Sequence, residues 1–166
     1  LDLVPIWSMA LQVQSVDPEL DRHHLHFGMG QKADSGFYLG LDILSPPTPQ
    51  PPIELYAYWQ IEDTVAPRLL SDYRAESDSA SYQLVIRADE QPFTLSWDVS
   101  SLPTEFSRLQ LKLVSNPDLE PINMKRQKAV TYEAQTRDYV FQLVVSKEVE
   151  LTLESGWNMI SVAGQP

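Results

Sequence analysis

The chain contains no cysteine and no long hydrophobic run. Without cysteine there is no disulfide framework, no thiolate metal site and no cysteine nucleophile. At 166 residues the chain is long enough to form a core without covalent cross-links. No stretch approaches the roughly 18 apolar residues of a membrane span, so we predict no membrane insertion.

Basic residues are also scarce. The chain has 12 basic against 23 acidic residues, which gives a formal net charge of -11. Lys125, Arg126 and Lys128 form the only close basic cluster, and a solvated loop accounts for it. Because an acidic surface repels phosphate backbones, we predict no nucleic-acid partner.

Motifs of catalysis are missing as well. The sequence has no G-x-S-x-G elbow, no H-E-x-x-H and no glycine-rich phosphate loop after a strand. Its many carboxylates guarantee some pairs, but none stands in a glycosidase context. We therefore predict that the protein is not an enzyme.

Short strands with alternating polarity are abundant. Thirteen prolines and the lack of an apolar stripe at helical spacing argue against helices, and only "APRLLSDYRAES" allows one turn. Apolar residues recur at every second position in several segments separated by turn sequences. On this pattern Trp7 and Trp97 are predicted to be core residues. The alternating segments are "IWSMALQV", "SYQLVIRA", "FTLSWDV", "RLQLKLV", "YVFQLVV" and "VELTL".

Residues 15–52 interrupt this pattern. They contain four of the six glycines and end in "SPPTPQPP", which should be extended and excluded from the middle of a sheet. We expect one long Gly/Pro-rich loop that crosses along an edge. The whole sequence predicts an all-β fold, an antiparallel β-sandwich of the immunoglobulin-like or jelly-roll kind.

Tyrosines provide the best candidates for a ligand surface. In "ELYAYWQ", Tyr56 and Tyr58 share one face of a strand while Trp59 lies on the other. Together with Tyr38 they could form a flat platform on which sugar rings stack, although packing within the sheet explains the same pattern.

Acidic residues of the long loop are candidates for a calcium site. Asp17, Asp21, Asp34 and Asp42 lie in one glycine-containing segment, and carboxylate oxygens suit calcium. Their spacing does not match an EF-hand, and capping or turn formation is the competing interpretation. A further pair, Asp72 and Arg74, should point the same way in an extended segment and form an ion pair.

The order of several short phrases resembles a known kind of domain. The strand "WSMALQV", the segment "GFYLGLDILSPPTPQPP", the phrase "FTLSWDVSSLP" and the closing "GWNMIS" follow one another as in β-sandwich modules of large bacterial secreted or cell-surface proteins. Such modules occur near dockerin or carboxyl-terminal sorting domains. Tyr38 and Leu41 stand where those modules tend to have acidic residues. The resemblance implies an architectural role, and its "GWN-I-S" phrase tends to begin the following module.

These observations predict a module at residues 1–146 and a terminal strand, or the start of a following module, at 147–166. The expected function is a non-catalytic structural or spacer module of an extracellular or cell-surface bacterial protein, with roles in adhesion or assembly. Its partners would be neighbouring modules of the same chain. The alternatives are a carbohydrate-binding module that binds polysaccharide, and a self-associating subunit of a filament or surface layer that uses the terminal strand.

Overall fold

The protein is an all-β domain. The computed structural model describes residues 4–19, 22–31, 33 and 36–147. Within these residues the chain forms eleven strands. They are β1 (Trp7–Ser15), β2 (Arg22–Gly30), β3 (Ile43–Leu44), β4 (Tyr56–Gln60), β5 (Arg68–Ala75), β6 (Ser79–Ala88), β7 (Phe93–Trp97), β8 (Arg108–Leu113), β9 (Ile122–Asn123), β10 (Ala129–Tyr132) and β11 (Gln135–Ser146).

The alternating segments form strands as predicted. In β1 the apolar side chains of Met9, Leu11 and Val13 are fully buried, and the residues between them are more exposed. The same alternation is found in β7, β8 and the second half of β11. It arises because successive side chains of a strand point to opposite faces of the sheet. The predicted segment "VELTL" lies outside the described residues.

All eleven strands belong to one mixed sheet. Its order is β10-β7-β1-β2-β5-β4-β6-β11-β8-β9, and β3 pairs with β5 beside this path. The sheet is strongly curled into a half-barrel and is not plainly a two-sheet sandwich. The prediction of a wholly antiparallel fold is wrong at one place, because β2 and β5 run parallel. This pair joins the two halves of the sheet, which are β10-β7-β1-β2 and β5-β4-β6-β11-β8-β9.

The predicted long loop contains two strands. Strand β2 pairs with β1 over eight residues and buries Leu25, Phe27 and Met29. Gly28 lies in this pair, where a Cβ atom would collide with the carbonyl oxygen of Trp7. The segment "APRLLSDYRAES" also differs from expectation, since it contains β5 and no helical turn. Pairing with β2, β3 and β4 decides the conformation of β5.

Aromatic rings fill the space inside the curl. Phe27 packs against Trp59 and Tyr82, with ring centroids 5.3 and 5.0 Å apart, so β2 contacts β4 and β6 across the interior. Trp7 and Trp97 are buried, as predicted. The indole N–H of Trp97 donates to the carbonyl oxygen of Met124 at 2.8 Å. Contacts of this kind hold the two halves of the sheet together.

The start of β1 and the end of β11 lie close to each other. The ring of Trp7, at the start of β1, lies 5.5 Å from that of Phe106. The ammonium group of Lys147, just after β11, lies 5.5 Å from the centre of the same ring. Residues 148–166 are outside the described part of the chain, so the domain boundary near residue 146 stays a prediction.

Candidate functional site

The structure brings two of the three predicted platform tyrosines together. Tyr56 and Tyr58 lie on one face of β4, with ring centroids 5.2 Å apart. Tyr56 is only 4% exposed, and its hydroxyl group donates to the carbonyl oxygen of Pro46 at 2.7 Å. Residues 46–52, the proline segment, are themselves exposed. Tyr56 is thus largely covered by this part of the chain.

Tyr58 and Tyr38 have different surroundings. Tyr58 is half-buried, and the guanidinium carbon of Arg68 lies 5.1 Å from the centre of its ring. Burial raises the pKa of Tyr58. Tyr38 packs against a small cluster formed by Leu41, Tyr73 and Ala33. Tyr56 and Tyr58 are therefore neighbours, Tyr38 belongs to another cluster, and a ligand-binding role for the three tyrosines stays a prediction.

Two of the four predicted calcium ligands lie in the described part of the chain. Asp17 is exposed and accepts a hydrogen bond from the amide of Glu19 at 3.0 Å, as a turn-forming aspartate does. Asp42 is buried, and its two carboxylate oxygens accept the amides of Tyr38 and Tyr73, each at 2.8 Å. Asp21 and Asp34 lie outside the described residues. Calcium binding stays a prediction.

Asp42 joins the long connection to the sheet. Tyr38 lies in that connection and Tyr73 in β5, so the one carboxylate holds both. Burial raises the pKa of Asp42 to about 6, although the two amides act in the opposite direction. Among the described residues no three His, Cys, Asp or Glu side chains are grouped to hold a metal ion.

The predicted ion pair between Asp72 and Arg74 is confirmed. Their closest atoms, Oδ2 and Nη2, are 2.8 Å apart, and Nε of Arg74 donates to both oxygens. The side chain of Asp72 is fully buried, unlike in a surface pair. Arg74 also lies over the ring of Tyr82, whose hydroxyl group donates to the carbonyl oxygen of Gly28 at 2.6 Å. This network joins β5, β6 and β2.

Two further carboxylates hold connections between strands. Asp63 accepts the amides of Ala66 and Val65 at 2.8 Å and that of Phe37 at 3.3 Å, and these bonds lower its pKa. Asp89 is bound by Nε of Arg87 at 2.7 Å.

The amide of Ile53 donates to the other oxygen of Asp89 at 2.9 Å. The pKa of Asp89 is lowered, first by Arg87 and then by this amide. Through Ile53 the carboxylate fixes the end of the long connection just after the proline segment. The conformation of the connection thus depends on buried or bonded carboxylates at several points.

A cleft that the sequence did not predict lies beside β10, the last strand at one end of the sheet that the described residues form. We call it the edge cleft. It has a volume of about 320 Å³ and is lined by residues within 113–119, 131–133 and 135–139. Tyr132, the last residue of β10, is half-buried in it, and Tyr139 of β11 lies deeper. The only sequence signal was a tyrosine on each side of a polar turn, "TYEAQTRDY".

A second depression lies on the outer face of the sheet. It has a volume of about 460 Å³, and its lining includes both apolar side chains and polar side chains of β4, β6 and β11. Gln60, Gln83 and Gln142 are directly opposite one another across these strands. The row presents three side-chain amides in this depression, and no exposed aromatic ring is among the lining residues.

The fold and these sites define an all-β domain with one curled, mixed sheet. Comparisons with protein-family models, with curated proteins and with solved structures find no match to the chain. Among the described residues, no helix is long and apolar enough to span a membrane.

Proposed function

We propose that the domain is a non-catalytic structural module of an exported or cell-surface protein, which separates or presents neighbouring domains. The observation that supports this proposal is the use of its carboxylates. Asp42, Asp63 and Asp89 each bind backbone amides of long connections, and Asp72 is neutralised by Arg74. The hydrogen bonds and the ion pair of these four carboxylates stabilise the fold.

Resistance to proteolysis follows from this arrangement. Proteases cleave segments that open locally, and loops with few internal bonds open most readily. Here the connection from residue 36 to residue 55 is bound at Phe37, Tyr38 and Ile53. A module exposed outside a cell would benefit from such protection.

Limited proteolysis of the full chain tests the structural proposal. We expect cleavage within residues 36–67 to be slow, and to be accelerated several-fold in Asp63→Ala or Asp89→Ala, because free amides lose their acceptor. Glu90→Ala, an exposed carboxylate beside Asp89 with no side-chain hydrogen bond among the described residues, is the matched control. Rapid cleavage of the unaltered protein within this segment would contradict the proposal.

The location and the partners are further parts of the proposal. Protease shaving of intact cells that express the parent protein, followed by detection of the domain's peptides, tests whether it lies outside the cell. Protection of these peptides until the cells are lysed would contradict surface exposure. Neighbouring modules of the same chain remain the proposed partners.

The two alternative functions stay predictions. A carbohydrate-binding module that uses the Tyr56–Tyr58 pair would require the proline segment to leave Tyr56 accessible, because its ring is covered in this structure. A filament subunit would require residues 147–166 to mediate contact between copies. Size-exclusion chromatography of the chain with and without residues 147–166 tests the second alternative.

A further inference from the structure

The floor of the edge cleft is a rigidly held aromatic ring. Tyr132 packs against Phe93, Tyr139 and Phe141, with centroids 5.6, 5.3 and 5.2 Å away. Three aromatic neighbours fix the position of the ring, although it is only half-buried. Tyr132 is thus a partly accessible aromatic side chain that these contacts hold in place before a ligand binds.

The hydroxyl groups of the two cleft tyrosines differ. That of Tyr139 donates to the carbonyl oxygen of Glu133 at 2.8 Å. That of Tyr132 has no hydrogen-bond partner within the described part of the chain. A phenolic hydroxyl both donates and accepts, so Tyr132 offers both functions to a bound molecule.

The walls of the cleft carry planar polar side chains. Asn116 and Arg137 are exposed, and neither side chain has a hydrogen-bond partner among residues 4–147 that the structure describes. Gln135 donates to the carbonyl oxygen of Arg137 at 3.2 Å. The walls therefore supply amide and guanidinium donors next to amide and carboxylate acceptors.

The cleft carries charges of both signs. Its lining includes one guanidinium group, that of Arg137, and two carboxylates, those of Glu133 and Asp138. An anionic ligand would meet these carboxylates, and a cationic ligand would meet the guanidinium group. A neutral ligand rich in hydroxyl groups uses donors and acceptors of both kinds without leaving a charge unpaired.

We propose that the edge cleft binds a short stretch of a neutral polysaccharide. One sugar ring packs its apolar face on Tyr132, and Asn116 and Arg137 hydrogen-bond to its hydroxyl groups. The volume of about 320 Å³ is at the lower end of the range of roughly 300–1,000 Å³ for small-molecule sites, which suits a few rings and not a large ligand. This site is separate from the Tyr56–Tyr58 pair and goes beyond the structural role.

An extended peptide is the competing occupant, since β10 has no neighbour on one side within the described part of the chain. That edge is only four residues long and offers few backbone hydrogen bonds, whereas strand addition depends on them. The cleft walls consist mostly of polar side chains, which favours the polysaccharide. The peptide is therefore an outcome of the test.

Calorimetric titration of the full chain tests the proposal with four probes: cellohexaose, xylohexaose, mannohexaose and laminarihexaose. We expect saturable binding of at least one hexasaccharide with a Kd of about 1 mM or lower. Amide chemical-shift changes in NMR spectra should be concentrated at residues 113–119 and 131–139. Failure of all four to bind would overturn the proposal.

Variants with intact folds locate the site. Arg137→Ala and Asn116→Ala remove exposed side chains, and each should weaken binding about tenfold, as expected when a hydrogen bond to a ligand is lost. Arg126→Ala, in the turn before β10, and Gln83→Ala, on the outer face, are matched controls that should bind normally. Loss of binding in Gln83→Ala with full binding in Arg137→Ala would place the sugar on the outer face and overturn the proposal.

A synthetic peptide of residues 147–166 serves as the probe for strand addition. If it binds and shifts the amides of Ala129–Tyr132, and the hexasaccharides do not compete, the edge accepts a strand and the polysaccharide proposal is wrong. If the peptide does not bind while a hexasaccharide does, the proposal stands.

Discussion

The molecule has two pairs of neighbouring tyrosines, one largely covered by the chain and one lining an open cleft. Tyr56 and Tyr58 are two residues apart on β4, and the proline segment covers the first of them. Tyr132 and Tyr139 come from β10 and β11 and contact each other across the curl, 5.3 Å apart. The first pair is easily recognised in the sequence, and the second forms the open cleft.

Whether the aromatic rings of a strand are accessible depends on which other segments of the chain lie over that strand. Alternation in β4 correctly places two tyrosines on one face, but it contains no information about a segment that begins ten residues earlier. Tyr132 lies in β10, the last strand at one end of the sheet order that residues 4–147, as far as they are described, form. Edges and connections, more than strand patterns, determine which rings are accessible.

The largest expected effect comes from removing the support of the open pair. Phe93 is fully buried and contacts both Tyr132 and Tyr139. Phe93→Ala should lower the free energy of unfolding by about 3–5 kcal/mol, because it leaves a cavity in the core. Urea denaturation measures this loss in the free energy of unfolding. The ring of Phe37 is half-buried, so Phe37→Ala should lower the free energy of unfolding clearly less. Equal losses in the two variants would show that Phe93 is not a core residue of this kind.

The next effect concerns Asp42, whose carboxylate holds the connection that precedes Tyr56 and Tyr58. The pKa of Asp42 is raised to about 6 from 3.8. Between these values the folded protein binds a proton that the unfolded chain does not, so this group stabilises the fold fully below pH 3.8 and loses that contribution as pH rises through 6.

Relative to Asp42→Asn, the unaltered protein should therefore lose up to about 1.4 kcal/mol of stability per pH unit over this range. The difference between the two unfolding curves, recorded from pH 4 to pH 7, isolates the group from other carboxylates. A constant difference would show that Asp42 titrates normally in the folded state.

A smaller effect distinguishes the two pairs directly. Tyr56→Phe removes the hydrogen bond to Pro46 and should cost about 1 kcal/mol and accelerate cleavage in the proline segment. Tyr132→Phe removes a hydroxyl group without a partner in the described structure, so its stability should change by less than about 0.5 kcal/mol. Equal losses in thermal unfolding would mean that the two pairs are held alike.

The smallest expected effect concerns the half-covered ring. Arg68→Ala removes the cation over Tyr58 and the side-chain bond to Thr48, and should cost about 0.5–1 kcal/mol. In a Tyr58→Trp background, the quenching of the tryptophan introduced at position 58 should increase when Arg68→Ala is added, measured as a difference from the chain that keeps Tyr58 and its four native tryptophans. Arg126→Ala is the control, and an equal increase there would exclude a specific cover.

Much of the fold could be predicted from local patterns. The alternation in β1, β6, β7, β8 and β11 follows from one buried face, and the pairing of Asp72 with Arg74 follows from their spacing on a strand. These properties depend on residues close in sequence. They are therefore visible without knowledge of the tertiary structure.

Three features depend on distant parts of the chain. Strand β2 contains three histidines and two glycines, and it is stabilised by β1 and by the parallel contact with β5. Its alternating Leu25, Phe27 and Met29 were the signal that the glycine content obscured. The joining of both halves into one sheet is likewise a long-range contact, since β5 begins 38 residues after β2 ends.

The edge cleft was missed for the same reason. Asn116 lies in the connection between β8 and β9, Tyr132 ends β10 and Arg137 lies near the start of β11, so their approach depends on the curl of the sheet. Each segment taken alone has the composition of an ordinary turn. Nothing in their spacing indicates that they meet.

The closeness of the start of β1 to the end of β11 has a mechanical consequence. Trp7 and Lys147 lie beside the same ring, Phe106, so a force applied at these two residues would act on β1 and β11 from one end of the domain. The hydrogen bonds of β1 with β2 and β7, and those of β11 with β6 and β8, would then break one after another from that end. The domain would add little to the length of a stretched chain, and its opposite end would point away from the line of force.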